Sequence, residues 1–171
     1  MPKQSLSFWH LDTRLNGLTG VGNAALLDGP LTAFFASRTC PGSAIRVAMD
    51  WAVAEARSGR TIISGFHSPL ERSVLEVLLT ARSKVVIALA RDVAKARLPG
   101  AWREAASRSE IAIVSITQGT RRLTEDHASE RNEWVAAIAA RIVIAHAEAG
   151  GTLARNVDEW RGAGRAMHLL A

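Results

Sequence analysis

"TIISGFHSPLERSVLEVLLTARSKVVIALA", residues 61–90, reads in turn as strand, loop, helix and strand. "TIIS" (61–64) and "KVVIALA" (84–90) are short continuous apolar runs bounded by Gly, Ser or charge, the pattern of strands buried on both faces. Between them Leu70, Val74, Val77, Leu78 and Ala81 recur at helical spacing. Ser68 with Glu71 three residues on makes a capping box, and Pro69 sits at the favoured first helical position. A buried strand that returns through a helix to another buried strand is the unit of a parallel sheet covered on both faces.

The same alternation runs outward from this stretch. "LTAFFA" (31–36), "EIAIVSI" (110–116), "RIVIAHA" (141–147) and "RAMHLLA" (165–171) read as further buried strands. Ile45, Ala48, Met49, Ala52 and Ala56 form a helical stripe, and "GAWREAASR", "HASERNEWVAAIAA" and "TLARNVDEW" carry helical patterns. The predicted fold is therefore α/β: a doubly wound, mostly parallel, Rossmann-like sheet of about six strands with helices on both faces, over residues 31–171. Residues 1–30, where "LNGLTGVGNAALLDGP" holds four of the thirteen glycines, predict a loop-rich leader on the edge of that domain.

Composition sets the classes. At 171 residues, with 48% hydrophobic residues, the chain suffices for one well-buried domain. No window approaches the roughly 18 uninterrupted apolar residues of a membrane helix. The opening "MPKQSLSFWHLDTRLNG" lacks the apolar core of a signal peptide, so the expected location is the cytoplasm, away from membranes. The single cysteine, Cys40, excludes an internal disulfide and reads as a small loop residue. Five scattered histidines and that cysteine offer no ligand spacing for a metal, and neither a redox cofactor nor another cofactor is expected. The formal charge of +5, with eighteen arginines and three lysines, suits a polyanionic partner; an arginine bias from genome composition fits equally, and a basic patch has to be shown in space.

In doubly wound folds ligands bind beyond the carboxyl ends of the strands. The residues to inspect are then Ser37, Arg38 and Thr39 after the first strand, and Gly65, Phe66, His67 and Ser68 after the second. After the fourth come Thr117, Gln118 and Gly119, and after the fifth Gly150, Gly151 and Thr152. For Ser68 the helix cap is the competing reading, and for His67 plain exposure or packing. "EAGGT" (148–152) places two glycines before a helix, where amides face an anion or simply make a tight turn. "ERNEW" (130–134) puts Arg131 and Asn132 early in a helix, where a cation opposes the dipole; a functional role and pairing with Glu130 or Glu133 both fit. Neither GxGxxG nor a phosphate loop ending in Gly-Lys-Ser/Thr follows any strand, which argues against a dinucleotide dehydrogenase or P-loop ATPase.

Together these segments resemble the DprA/Smf family of DNA-processing proteins, within the wider SLOG group of Rossmann-like domains. "GNAALLDGPLTAFFASR" (22–38) resembles the family's lead-in to a Gly-Ser-Arg strand end, with Ala36 in place of the glycine. "SGFHSPLERSVLEVLL" (64–79) is similar to its Ser-Gly-Leu-Ala-x-Gly-Ile-Asp stretch, with Glu71 for Asp and Pro69 for Gly. Arg131, Asn132, Gly151 and Thr152 match its closing Arg-Asn and Ser-Gly-Ser/Thr segments, and Gly150 replaces the serine. Leu75 stands where the family has histidine, and Ala90 or Arg91 where it has glycine.

The resemblance implies a minimal single-domain member that binds single-stranded DNA through phosphate contacts at the carboxyl edge of the sheet. It implies a homodimer that hands the strand to a recombinase, and no catalytic residue. Arg38 is expected to grip a phosphate, with Ser37, Gly65, Phe66, His67, Ser68, Arg131, Asn132, Gly150, Gly151 and Thr152 around it, and Phe66 to stack on a base. The alternative is a SLOG-type domain that holds a small nucleotide or nucleotide-sugar as sensor or hydrolase, with Glu71 as the carboxylate nearest the ligand. A basic stripe running beyond one pocket favours the polymer; a single closed pocket favours the small ligand.

Overall fold

The computed structural model describes residues 5–13, 16–116 and 125–170, and these form one eight-stranded sheet flanked by five α-helices. The strands are β1 (Trp9–Thr13), β2 (Asn16–Gly22), β3 (Leu31–Ala36), β4 (Thr61–Ser64), β5 (Val85–Leu89), β6 (Ile111–Ser115), β7 (Arg141–His146) and β8 (Met167–Leu169). The helices are α1 (Gly42–Ser58), α2 (Pro69–Thr80), α3 (Gly100–Ser107), α4 (Glu125–Ile138) and α5 (Thr152–Gly162). The spatial order is β1-β2-β6-β5-β4-β3-β7-β8. All pairs from β6 across to β8 are parallel, while β1–β2 and β2–β6 are antiparallel.

The doubly wound reading holds, and all six strands read from sequence form, within a residue or two at most ends, although the last, β8, is a largely exposed edge strand and not a buried one. Residues 9–13 and 16–22 depart from the loop expected there. They form two antiparallel strands, the second of which adds to β6, so the sheet has eight strands where about six were expected. Glycines fill that pair because neighbours come close: a Cβ on Gly20 would collide with the indole of Trp9, whose Nε1 donates to the Gly22 carbonyl (3.0 Å).

Alternation along the strands divides the core. Phe34 and Ile62 face α1, α2 and α3, with Ala48, Val74 and Leu78 packed on them. Phe35 and Ile63 face α4 and α5, against Val135, Val157 and Trp160. Each phenylalanine meets a tryptophan ring at 4.9 Å, Phe34 on Trp51 and Phe35 on Trp160. Chain direction reverses around β3: the path runs outward through β4, β5 and β6 on one side and through β7 and β8 on the other. The crevice of such a sheet opens where β3 and β7 part.

One carboxylate fixes the two loops at that place. Glu71, the third residue of α2 and 6% exposed, accepts from the buried amide of Ala36 at the end of β3 (3.0 Å) and from the amides of His67 (3.0 Å) and Ser68 (3.3 Å). The Ser68 hydroxyl completes the capping box by accepting from the Glu71 amide (3.4 Å). Replacing Glu71 by Ala strands a buried N–H, at about 1–3 kcal/mol for the lost acceptor. For a chain of this size we expect Glu71→Ala to lower the melting temperature by roughly 3–10 °C. A melting curve measured by circular dichroism checks this, and an unchanged midpoint contradicts the tie.

Candidate nucleic-acid interface

Sheet topology gathers the residues that the sequence scatters. A crevice of about 320 Å³ at the β3–β7 parting is lined by Ser37 and Arg38 after β3, His67 and Ser68 after β4, Arg131 and Asn132 on α4, and Gly151 and Thr152 at the start of α5. Eight of the eleven residues expected to hold phosphate therefore share one cavity. Gly65 and Phe66 line a second cavity of about 470 Å³ between the β4–α2 loop, the β5–α3 loop and α3, which His67 and Arg131 also line. Gly150 lines neither; its φ of 77° makes the turn into α5. Thr117, Gln118 and Gly119 lie outside the described residues.

Arg131 divides the two cavities. It is 5% exposed, and its Nε and Nη2 donate to Asn132 Oδ1, both at 3.2 Å. Among the described residues no carboxylate pairs with it: Glu130 is exposed, and Glu133 instead accepts from Trp160 Nε1 at 3.2 Å. Pairing with Glu130 or Glu133, open on sequence alone, is not what positions it. Burial lowers its pKa from the usual arginine value, and the charge of Glu71 opposes that shift; the guanidinium stays cationic all the same. It lies flat against the backbone at Gly65, where a Cβ would collide with its Cζ and Nε. That close approach is the reason residue 65 has no side chain.

The remaining groups divide into those already occupied and those free for a ligand. Ser37 Oγ accepts from the amide of Glu148 (2.7 Å), tying the β3–α1 and β7–α5 loops, and keeps its O–H to donate. Arg38 is exposed and makes no hydrogen bond or ion pair with the described residues. The amide of Gly151 donates to the Glu148 carbonyl (3.0 Å), which leaves the amides of the first turn of α5 to face the crevice. Asn156, one turn further, is 7% exposed and lines the crevice, with its Nδ2 buried and without a hydrogen-bond partner among the described residues. A buried amide without an acceptor marks a place for one. Sequence reading missed Asn156; its position four residues after Thr152, on the same helix face, is the signal that could have found it.

Two expectations need correction. Phe66 is 2% exposed and its ring belongs to the core, so it has no free face for a base. Its amide, expected in a phosphate cradle, donates to Ser64 Oγ (3.0 Å), which helps hold Phe66 at a φ of 47°. The Cys40 thiol donates to the Ser37 carbonyl (3.2 Å), and burial raises its pKa, ahead of the charges of Glu71 and Glu148, so it is a protonated packing group.

His67, exposed at the rim, has its pKa lowered from the ordinary histidine value. Desolvation is the main cause, followed by Arg131 and Arg72, with Arg38 adding and Glu71 opposing. Three arginines from three elements thus converge on one imidazole. The cations gather in space, as a basic stripe requires.

Comparison with known proteins agrees with this fold. The sequence profile of the DNA recombination-mediator protein A family matches residues 10–158. No curated protein sequence matches significantly. Among solved structures, DNA processing protein A from Helicobacter pylori, described for its single-stranded DNA binding mode, superposes with a TM-score of 0.77 at 16% identity, over 98% of this chain and 82% of that one. DNA processing protein A from Streptococcus pneumoniae superposes at 0.76 and 15% identity, over 98% of this chain but only 63% of its own length. The Moco carrier protein of Chlamydomonas rheinhardtii shares the fold more loosely, with a TM-score of 0.53 and 14% identity over 82% of this chain and 74% of that one. By its sequence this chain belongs to the DNA recombination-mediator protein A family.

Proposed function

We propose that the protein binds single-stranded DNA through its phosphates, in the crevice between the ends of β3 and β7. The observation that carries this reading is Arg131, a buried cation with no carboxylate paired to it among the described residues, walling the crevice beside the free guanidinium of Arg38. A buried charge of this kind is costly until a counter-charge arrives. Phosphate supplies that charge, with acceptor oxygens for the Ser37 hydroxyl, the Asn156 amide and the first amides of α5. A polymer is favoured over a free nucleotide or nucleotide-sugar because the cations continue past the crevice, to Arg72, Arg91 and Arg97. Family membership supports the same partner. Under this reading the protein works in the cytoplasm, as a homodimer that passes the strand to a recombinase.

Arg38→Ala tests the contact. The side chain is exposed, so we expect a stability change within about 0.5 kcal/mol. Affinity for a fluorescent single-stranded oligonucleotide should fall, and the log–log salt slope should shrink by about 0.7 for one lost phosphate contact. A lower melting temperature with an unchanged salt slope would make Arg38 structural instead.

The lowered pKa of His67 gives a second test. In the free protein its imidazole is held neutral, and a bound anion raises its pKa, so the complex holds more protons than its parts. Affinity should therefore rise as pH falls from 7.5 through 6.5 and below, by up to about tenfold per unit of pKa difference. His67→Ala should flatten this part of the pH profile, which fluorescence anisotropy at fixed ionic strength reads directly.

A further inference from the structure

The second cavity, of about 470 Å³, has a different character from the crevice. Arg72, Arg91 and Arg97 stand around it, Arg131 closes the side shared with the crevice, and no carboxylate is among the described residues that line it. Its floor is apolar: Leu89, Leu98, Pro99 and the half-buried indole of Trp102. Phe66 presents almost no surface there, so Trp102 is the aromatic face on offer.

An apolar floor beneath a ring of cations selects a ligand with a flat apolar body and negative charge. An inorganic anion would leave the floor wetted, and a neutral ring would leave the guanidiniums without counter-charge. A nucleotide has both parts: a base that stacks on an indole and a phosphate that a guanidinium grips at two points.

We propose that this cavity is a second nucleotide subsite, which takes the unit of the strand adjacent to the one in the crevice, its base on Trp102 and its phosphate between Arg72 and Arg97. The inference rests on the strand-binding reading above. Contiguity carries it: Arg131 and His67 line both cavities, so anions on their two sides are separated by the width of one side chain. That is the spacing of neighbouring units on one strand. The subsite also supplies the base contact that the buried Phe66 cannot.

The test uses 5′-phosphorylated thymidine oligomers of one, two, four and eight units, with Trp102→Leu, Arg97→Gln and Arg38→Ala beside the wild type. Wild-type affinity should step up between one unit and the longer strands. Trp102→Leu should lower affinity for the eight-unit strand by roughly 5- to 150-fold, and Arg97→Gln should reduce its salt slope by about 0.7, with binding of the single unit unchanged in both. Trp102 also packs on the core; should its variant fail to fold, the exposed Arg97 decides the matter. If both variants bind the eight-unit strand like wild type while Arg38→Ala weakens it, the second subsite is overturned and the crevice stands. If the wild type binds no strand, both readings fall. If the single unit binds as tightly as the longest strand and Trp102→Leu abolishes it, the cavity holds a free nucleotide and the proposal is overturned.

Discussion

The carboxylate of Glu71 is the joint on which the rest of the interface depends. The end of β3 and the turn after β4 come from segments thirty residues apart in the chain, and parallel pairing sets only their spacing. Three amides converging on one buried carboxylate fix their relative position to within a hydrogen-bond length. Ser37 and Arg38 then leave β3 in a set direction, and His67 reaches the same rim. The same charge lies close enough to Arg131 to favour its cationic form without pairing with it. Glu71 therefore sets both the geometry of the crevice and part of its potential.

Arg131 is the opposite case, a group whose placement works against folding. Burial disfavours its charge, its one hydrogen-bond acceptor among the described residues is the neighbouring amide of Asn132, and residue 65 must be glycine for it to fit. Asn156 adds an unfilled donor in the same wall. A stable fold tolerates a few such defects, and they concentrate where a partner later completes the interactions. On the strand-binding proposal, an arriving phosphate would meet donors already held in place, so little ordering would be left to be done on binding.

Most of the fold was legible because every central strand is buried on both faces, and continuous apolar runs separated by helical stripes leave few alternatives. The pair of β1 and β2 was hidden by its own packing: glycines that admit Trp9 and β6 at close range look in sequence like loop glycines. At the candidate site, the strand-end rule named Ser37, Arg38, His67 and Gly151, which line one crevice because topology alone fixes where strand ends lie. It could not show that the ring of Phe66 turns into the core, which depends on a backbone angle. Arg97 and Trp102 were passed over because the loop after "KVVIALA" lacks the glycines expected of a phosphate loop. An apolar floor under arginines belongs to three separate segments and has no local motif.

The two edges of the sheet show why cation count and cavity size do not by themselves make a site. At the amino edge a larger cavity, about 610 Å³, is lined by Arg60, Lys84 and Arg141. There Glu55, 6% exposed, accepts from Arg141 (3.1 Å) and Arg60 (3.2 Å), and both guanidiniums are committed to tying α1 to the starts of β7 and β4. At the carboxyl edge the corresponding buried acid, Glu71, is committed to backbone amides, so it neutralises none of the arginines around it at close range. Similar residues, differently paired, give a structural brace at one edge and an uncompensated field at the other. Among the described residues, the positive charge that no internal carboxylate has already answered lies at the edge where β3 and β7 part, and that is where a polyanionic partner would feel it.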